Sequence, residues 1–412
     1  MNAPQTFPIA ETYAAMGLGK SPVTVESMTS PAYFEVEKKA VFGLSWLLVG
    51  RESDIPAIGD YFVKRIDPWN TSLIISRAKD KKIYAFHDVC THRGMHVIGS
   101  EQTGNRKAFT CGAHGWVFGL DGKLVDVTDR PSFYELDENK LGLIAVAVDI
   151  WEGFIFVRRD AQAGESLKEF LGEVYSGYEG YFDDSFFHKV DQYVGDIHMN
   201  YKFWLDSSVE AYHAGVVHIQ NNTGQNAKSG TVLSLAASAI CLYKRHRKVG
   251  IPVGVGAREL APCEALAAKY GGPITSYDPR LQARSIPPAL NANSDTNWAF
   301  DILEIYPNTI MFLSKAMYAV IMLWPISVDR CRIAVDVYMP EPENAAERVA
   351  LEYGLVSLRD VMREDLNIAE GSTDALTAGA IKEVYFSDQE IAVRHSYAVV
   401  DHAVKEYLAK QA

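Results

Sequence analysis

The sequence predicts an α+β protein with a small antiparallel β domain and a larger domain in which helices cover an antiparallel sheet. Three observations lead there. The chain is 412 residues long, enough for two or three domains with cores of their own. Between about residues 41 and 160 its apolar residues come in short runs bounded by Gly, Asp, Asn and Pro, the texture of short paired strands. Beyond 160 helical periodicity and longer strand-like runs alternate, as in a sheet covered by helices.

Residues 1–40 carry mixed helical signals broken at Pro22 and Pro31, and are expected to pack on the larger domain. In the domain expected over 41–160, the strand candidates are Trp46 to Gly50, Tyr61 to Val63, Leu73 to Ile75, Ile83 to Phe86, Trp116 to Phe118 and Ile155 to Val157. The second domain, 161–412, opens on an acidic, aromatic stretch from Leu167 to Phe187. A helix is expected from Asn200 to about His213. Residues Asn221 to Asn293, rich in Gly, Pro, Ser and Ala, read as long loops. Strand-like runs follow at Phe300 to Tyr306, Thr309 to Leu313, Tyr318 to Trp324 and Arg332 to Met339, then amphipathic helices over Ala345 to Ile368 and Asp388 to Leu408.

Composition excludes several functions. A formal charge of -12 without long Lys/Arg runs does not suit a protein that must neutralise many phosphates, so no nucleic-acid partner is expected. Five cysteines at scattered positions make no disulfide framework and point to a reducing compartment. The first residues lack a basic segment followed by an apolar one, so a cytoplasmic location is expected. The most apolar windows, Leu141 to Val157 and Ala316 to Val328, carry charges or proline, and neither is expected to span a membrane.

Two constellations carry chemistry. In the first, Cys90-Thr91-His92-Arg93-Gly94 and Cys111-Gly112-Ala113-His114-Gly115-Trp116 are separated by 18 residues between His92 and Cys111. Each half sets a Cys and a His on a Gly-containing turn, so two loops can present four ligands. Two thiolates and two imidazoles can hold a structural zinc. They can equally hold a [2Fe-2S] cluster with the cysteines on one iron and the histidines on the other. Cys241, Cys263 and Cys331 have no such partners and read as small buried hydrophobes.

The second constellation lies in residues 200–218. On a continuous helix Asp206, Glu210 and His213 share one face, while His213 and His218, five apart, need a π-type turn or a break at Gly215 to converge. Two imidazoles and one carboxylate on one face of an iron leave the other face open to dioxygen and substrate.

Cys90-x-His92-Arg93-Gly94 and Cys111-x-x-His114-Gly115-Trp116 resemble the Rieske motif of the large (alpha) subunits of Rieske non-heme iron oxygenases, the ring-hydroxylating oxygenase family. The gap between the halves sits at the long end of that family's spacing, with a longer loop expected around Gln102 to Lys107. Asn200-Tyr201-Lys202, Asp206, Glu210, His213 and His218 match the family's catalytic helix in order. The resemblance covers the chain from about Trp46 to His395.

The resemblance implies a Rieske cluster on Cys90, His92, Cys111 and His114, and a mononuclear Fe(II) on His213, His218 and Asp365, with Glu364 the rival for the carboxylate. It implies that Glu210, where many members have Asp, bridges the iron site to a Rieske histidine of a neighbouring subunit, and that Asp206 and Tyr212 orient the ligands. It also implies a homotrimer, with or without a beta subunit, in which the cluster of one subunit serves the iron of the next. No Gly-rich nucleotide-binding turn follows a strand, so NAD(P)H is expected to be oxidised by a separate reductase, directly or through a ferredoxin. Apolar candidates for the pocket wall (Leu205, Val209, Val216, Val217, Ile310, Phe312) point to an aromatic or similarly hydrophobic substrate. Dihydroxylation, monohydroxylation and oxidative N- or O-dealkylation all fit that reading. A zinc-stabilised binding protein and a pure electron-transfer Rieske protein are the readings from other classes.

Overall fold

The computed structural model describes residues 9–100, 102–161, 164–218, 239–252, 284–296 and 298–411, with 237, 262, 265 and 267 in isolation. The chain divides into two compact units, Val41–Phe170 and Met1–Ala40 with Leu171–Ala412.

Among its described residues the unit Val41–Phe170 is built from three small antiparallel sheets. Leu47–Arg51 pairs with Phe154–Arg158, which pairs in turn with Ala147–Trp151. Glu152 and Gly153, both at positive φ, make the two-residue turn of that hairpin. Asp60–Ile66, Thr71–Arg77 and Ile83–His87 form the second sheet. The segment expected as a longer loop at 102–107 instead adds a strand to it: Thr103–Asn105 pairs with Asp60–Phe62. Phe109–Thr110, Val117–Phe118 and Leu124–Asp126 form the third. Tyr61, Ile74, Phe86, Phe109, Trp116 and Phe118 fill the core, and Cys90 and Cys111 belong to the same buried cluster.

The other unit is organised around a seven-stranded antiparallel sheet. In sheet order its strands are His188–Ile197, Arg330–Met339, Tyr318–Ser327, Thr309–Leu313, Trp298–Ile305, Arg247–Pro252 and Ala239–Leu242. The last two fall in the stretch expected as loop. Of that stretch, residues 221–236, 253–261 and nearly all of 263–283, including Cys263, lie outside the described residues. The edge strand His188–Ile197 has no counterpart among the expected elements. It alternates exposure residue by residue over most of its length, a half-solvated edge whose apolar face is too short to stand out in sequence.

Two helices frame the site. The first runs only over Tyr201–Ser208, where a helix reaching His213 was expected. Asn200 caps it, accepting from the Lys202 N–H at 3.1 Å, while its side-chain amide donates to the Met28 and Val328 carbonyls. The second is long, Ala345–Thr377, capped by Asn344. It continues past Ile368 and through Gly371 because Ala369, Thr373 and Leu376 bury one stripe, and the Thr373 hydroxyl accepts from the Asn200 N–H at 2.9 Å. That bond ties the two helices together. A C-terminal helix, Ile391–Ala409, packs against the first. Among the described residues no helix is long and apolar enough to cross a membrane.

Candidate metal centres

The two cysteine loops are built alike. The Cys90 N–H donates to the Met95 carbonyl and the Gly94 N–H returns to the Cys90 carbonyl; Cys111, Trp116 and Gly115 repeat the pattern. Each closing glycine is left-handed, Gly94 at φ +81° and Gly115 at φ +72°, a conformation that side-chain-bearing residues resist. The two turns share one hydrogen-bond frame but carry their histidines at different places in it, His92 beside Arg93 and His114 beside the closing Gly115. Cys90 and Cys111 are buried and lie within hydrogen-bonding reach of each other. His92 is half-buried, His114 is exposed, and their ring centroids are 4.7 Å apart.

The four donors are thus sorted by type, thiols inside and imidazoles outside. A single tetrahedral zinc needs all four around one point. Buried thiols and outer imidazoles suit a two-iron cluster with sulfur ligands on one iron and imidazoles on the other. Burial, together with the nearby Cys111 side chain, raises the Cys90 thiol, a cost that an iron bound to the thiolate removes. Burial, His114 and Arg93 lower His92, which favours the neutral imidazole that ligates metal. Trp116 stacks on His92 at 4.7 Å and Phe133 meets both rings edge-on. Sequence reasoning missed Asp88, fully buried, whose carboxylate accepts from three successive backbone N–H groups at Val97, Ile98 and Gly99. His96 packs on it, its Nδ1 2.9 Å from the Asp88 carbonyl. Together they set the path of the chain leaving the first loop.

At the second centre the chain breaks earlier than Gly215. After Ser208 the helix stops, and Glu210 starts a new turn by accepting the Tyr212 and His213 N–H groups on its Oε2. A short helix, Ala214–Val217, then lies between the two histidines. With His213 at its N-cap and His218 at its C-cap, the five-residue spacing needs no π-turn. The rings meet edge to face with centroids 5.1 Å apart.

Three atoms converge there. His213 Nε2 and His218 Nε2 are 3.2 Å apart, and Asp365 Oδ1, from the long helix, is 3.4 Å from the first and 3.2 Å from the second. These separations fall between the edges, roughly 3.0 and 3.4 Å, of an octahedron and a tetrahedron drawn with metal–ligand distances of about 2.1 Å. Among the described residues this is the group of three or more His, Cys, Asp or Glu side chains whose ligand atoms lie within 4.8 Å of one another.

The opposite ring nitrogens decide what those three atoms are. His213 Nδ1 faces Glu210 Oε1, and His218 Nδ1 lies 2.7 Å from Glu364 Oε2. A carboxylate on Nδ1 assigns the proton to that nitrogen. In the neutral rings both Nε2 atoms would then offer lone pairs toward a carboxylate oxygen, three acceptors facing one another. A cation satisfies all three. The same field attracts protons as well as a cation: although burial opposes it, Asp365 and Glu210 raise His213 to about 10, and Asp365 and Glu364 raise His218. Burial would raise Asp365, but the two histidines outweigh it and hold its carboxyl below the usual range. Metal loading displaces the protons this field attracts.

The remaining expected residues fall elsewhere. Asp206 does not share a face with Glu210 and His213, because the helix has ended between them; its Oδ2 accepts from the Tyr397 hydroxyl at 2.7 Å. Burial raises its carboxyl well above the ordinary range, with Glu304 adding to the effect against the Tyr397 bond. Tyr212 is half exposed and meets Glu210 through its backbone N–H. Glu364 points to the far nitrogen of His218 instead of competing with Asp365.

A cysteine–histidine loop pair in an antiparallel β unit, and two imidazoles with a carboxylate from the long helix of the other unit, are the donor sets of a protein with two metal centres in one chain. Residues 45–140 match the Rieske [2Fe-2S] domain and residues 184–406 the catalytic domain of the ring hydroxylating alpha subunit. The second match takes in more than half of the chain, and the protein belongs to that family of Rieske oxygenase alpha subunits. The biphenyl dioxygenase alpha subunit of Metapseudomonas furukawaii is 37% identical over 150 residues, 34% of this chain and 31% of that protein. The carnitine monooxygenase oxygenase subunit of Acinetobacter pittii is 30% identical over 194 residues, 46% of this chain and 50% of that protein. The chain thus spans about a third to a half of the length of the curated relatives it matches. In fold it is similar to a quaternary ammonium Rieske monooxygenase, with a TM-score of 0.72 at 20% identity over 98% of this chain and all of that one. Naphthalene 1,2-dioxygenase is also similar, with a TM-score of 0.68 at 21% identity over 95% of each chain.

Proposed function

We propose that the protein is a terminal oxygenase component that uses dioxygen and electrons from a separate reductase, directly or through a ferredoxin, to hydroxylate or dihydroxylate an aromatic or similarly hydrophobic small molecule. The observation that carries the reading is the convergence of His213 Nε2, His218 Nε2 and Asp365 Oδ1 with a carboxylate behind each ring. In this reading residues 41–160 hold the cluster through Cys90, His92, Cys111 and His114. Residues 161–412, with 1–40 packed on them, hold the iron. When bound, the [2Fe-2S] cluster supplies single electrons and the ferrous ion supplies dioxygen activation.

The protein's part is orientation and charge. Glu210 and Glu364 keep the proton on each Nδ1, so that both imidazoles present a lone pair. Asp365 supplies the negative ligand. Glu210 is also the group through which a neighbouring subunit's cluster histidine would be reached in a homotrimer, and its Oε1 already contacts His213. The cytoplasm suits the free thiols.

A second reading is oxidation at a carbon beside a heteroatom, followed by loss of the alkyl group. It is supported by the relatives named for choline and carnitine, whose matches cover 46% of this chain against 34% for the biphenyl dioxygenase subunit. Reconstitution with a generic reductase, following NADH-dependent oxygen uptake and product masses over a panel of arenes and quaternary amines, tests both. Gain of two oxygens and two hydrogens, or of one oxygen, on an arene supports the first. Loss of an alkyl fragment from an amine supports the second, and oxygen uptake with neither class overturns both.

A further inference from the structure

We propose that Glu364 is a positioning residue for His218, the partner that fixes the tautomer and ring orientation of the second imidazole. The inference deepens the metal-site reading above and rests on it. His218 is clamped by consecutive residues of one helix. Glu364 Oε2 lies 2.7 Å from Nδ1, and Asp365 Oδ1 lies 3.2 Å from Nε2. Neighbouring positions on a helix point about 100° apart, so the pair can straddle a ring that enters between them, one carboxylate at each nitrogen. The imidazole is then held along its length, and rotation about its χ2 would break both contacts.

His213 is held by a different device. Its orienting carboxylate, Glu210, sits three residues away on the same turn and also caps the short helix through the Tyr212 and His213 N–H groups. Removing Glu210 therefore disturbs backbone and ligand together. Glu364 lies on the long helix, 146 residues from His218 in sequence, with its side chain 27% exposed. A solvated surface acid would leave that side chain free among rotamers. The 2.7 Å contact to a nearly buried histidine, and the extra basicity it lends the ligating nitrogen, mark a buttress instead. Because orientation needs only an acceptor oxygen, an amide in place of the carboxylate should retain most of the effect.

The test is metal binding by the full-length protein with its cluster intact, stripped of mononuclear iron and titrated anaerobically with Co(II). Wild type, Glu364→Gln, Glu364→Ala and Asp365→Ala are compared for affinity and for the Co(II) ligand-field spectrum. Expected is a 10–100-fold weaker affinity and a changed spectrum for Glu364→Ala, about the range seen when such outer partners are removed. Glu364→Gln should recover most of both, and Asp365→Ala should abolish the signal, all with unchanged cluster absorbance. Wild-type affinity and spectrum in Glu364→Ala, beside loss in Asp365→Ala, would overturn the role of Glu364 and leave the site standing. Glu364→Gln as weak as Glu364→Ala would overturn positioning, since charge alone would then explain the effect. Wild-type binding by Asp365→Ala would overturn the site reading itself.

Discussion

Replacing Lys202 with Met should destabilise the larger unit by about 3–5 kcal/mol, the cost of stranding a charge whose buried partner has been removed. Lys202 and Glu37 have side chains 3% and 0% exposed, and the Lys202 Nζ donates at 2.8 Å to Glu37 Oε2 and at 2.9 Å to the Ser27 carbonyl. Without it Glu37 keeps the Tyr201 hydroxyl on Oε1, at 2.7 Å, and its other oxygen faces a methyl group. The loss falls at the first turn of the helix that leads to Glu210 and the histidines. The assay is equilibrium urea unfolding of the full-length protein. Far-UV circular dichroism follows the helices, and visible absorbance follows the cluster unit separately, because a chain of two units need not unfold in one step. The double variant Glu37→Leu/Lys202→Met should recover part of the loss, since the charged pair can be exchanged for apolar groups at little cost while the Tyr201 hydroxyl loses its bond to Glu37. A loss below about 1 kcal/mol in the single variant, or a double variant no better than the single, would show that the buried Lys202–Glu37 pair does not hold this turn.

Three other outcomes follow from the same geometry. Glu210→Ala should lower turnover and iron retention together, because it removes both the His213 contact and the cap of the following turn; unchanged iron content by metal analysis would contradict the orienting role. Gly115→Ala should cost more than Gly94→Ala, measured by thermal melting and cluster absorbance. Both pay about 1–2 kcal/mol for positive φ, but a Cβ at 115 would lie 2.7 Å from Thr128 Oγ1, whereas at 94 it meets nothing within 4 Å. Burial, Arg247 and His246 depress His395 to about 3 from 6.5. Its contribution to stability is therefore present above pH 6.5 and is lost as pH falls toward 3, about 2 kcal/mol of it by pH 5. His395→Gln should flatten the stability profile between pH 6.5 and 5, and an unchanged slope would contradict the assignment.

The ligand chemistry is legible in the sequence because it is local. Cys90 with His92, Cys111 with His114, and His213 with His218 each sit within one turn or loop. What joins them is not local. Nothing in the Glu364-Asp365 pair tells which carboxylate meets Nε2 and which Nδ1, since that depends on a residue 146 positions away. The helix break is hidden from the sequence for a related reason: Asp206, Glu210 and His213 keep a helical period, and only the Glu210 carboxylate capping the Tyr212 and His213 N–H groups ends it. Asn200-Tyr201-Lys202, noted by resemblance alone, acquires its physical meaning from Met28, Val328 and Glu37, all remote in sequence. Strand runs such as Thr309–Leu313 are read to the residue because both faces are apolar, whereas His188–Ile197 is hidden by its solvated face.

In the proposed reading one chain holds two different iron centres, one on sorted thiols and imidazoles and one on His213, His218 and Asp365. Iron, zinc and acid-labile sulfide, measured per chain in anaerobically purified wild type and Asp365→Ala, test it most directly. Expected are about three irons and two sulfides in the wild type, a Rieske-type EPR signal on reduction, and loss of one iron with sulfide unchanged in the variant. Zinc without sulfide, or the same iron content in both proteins, would contradict it.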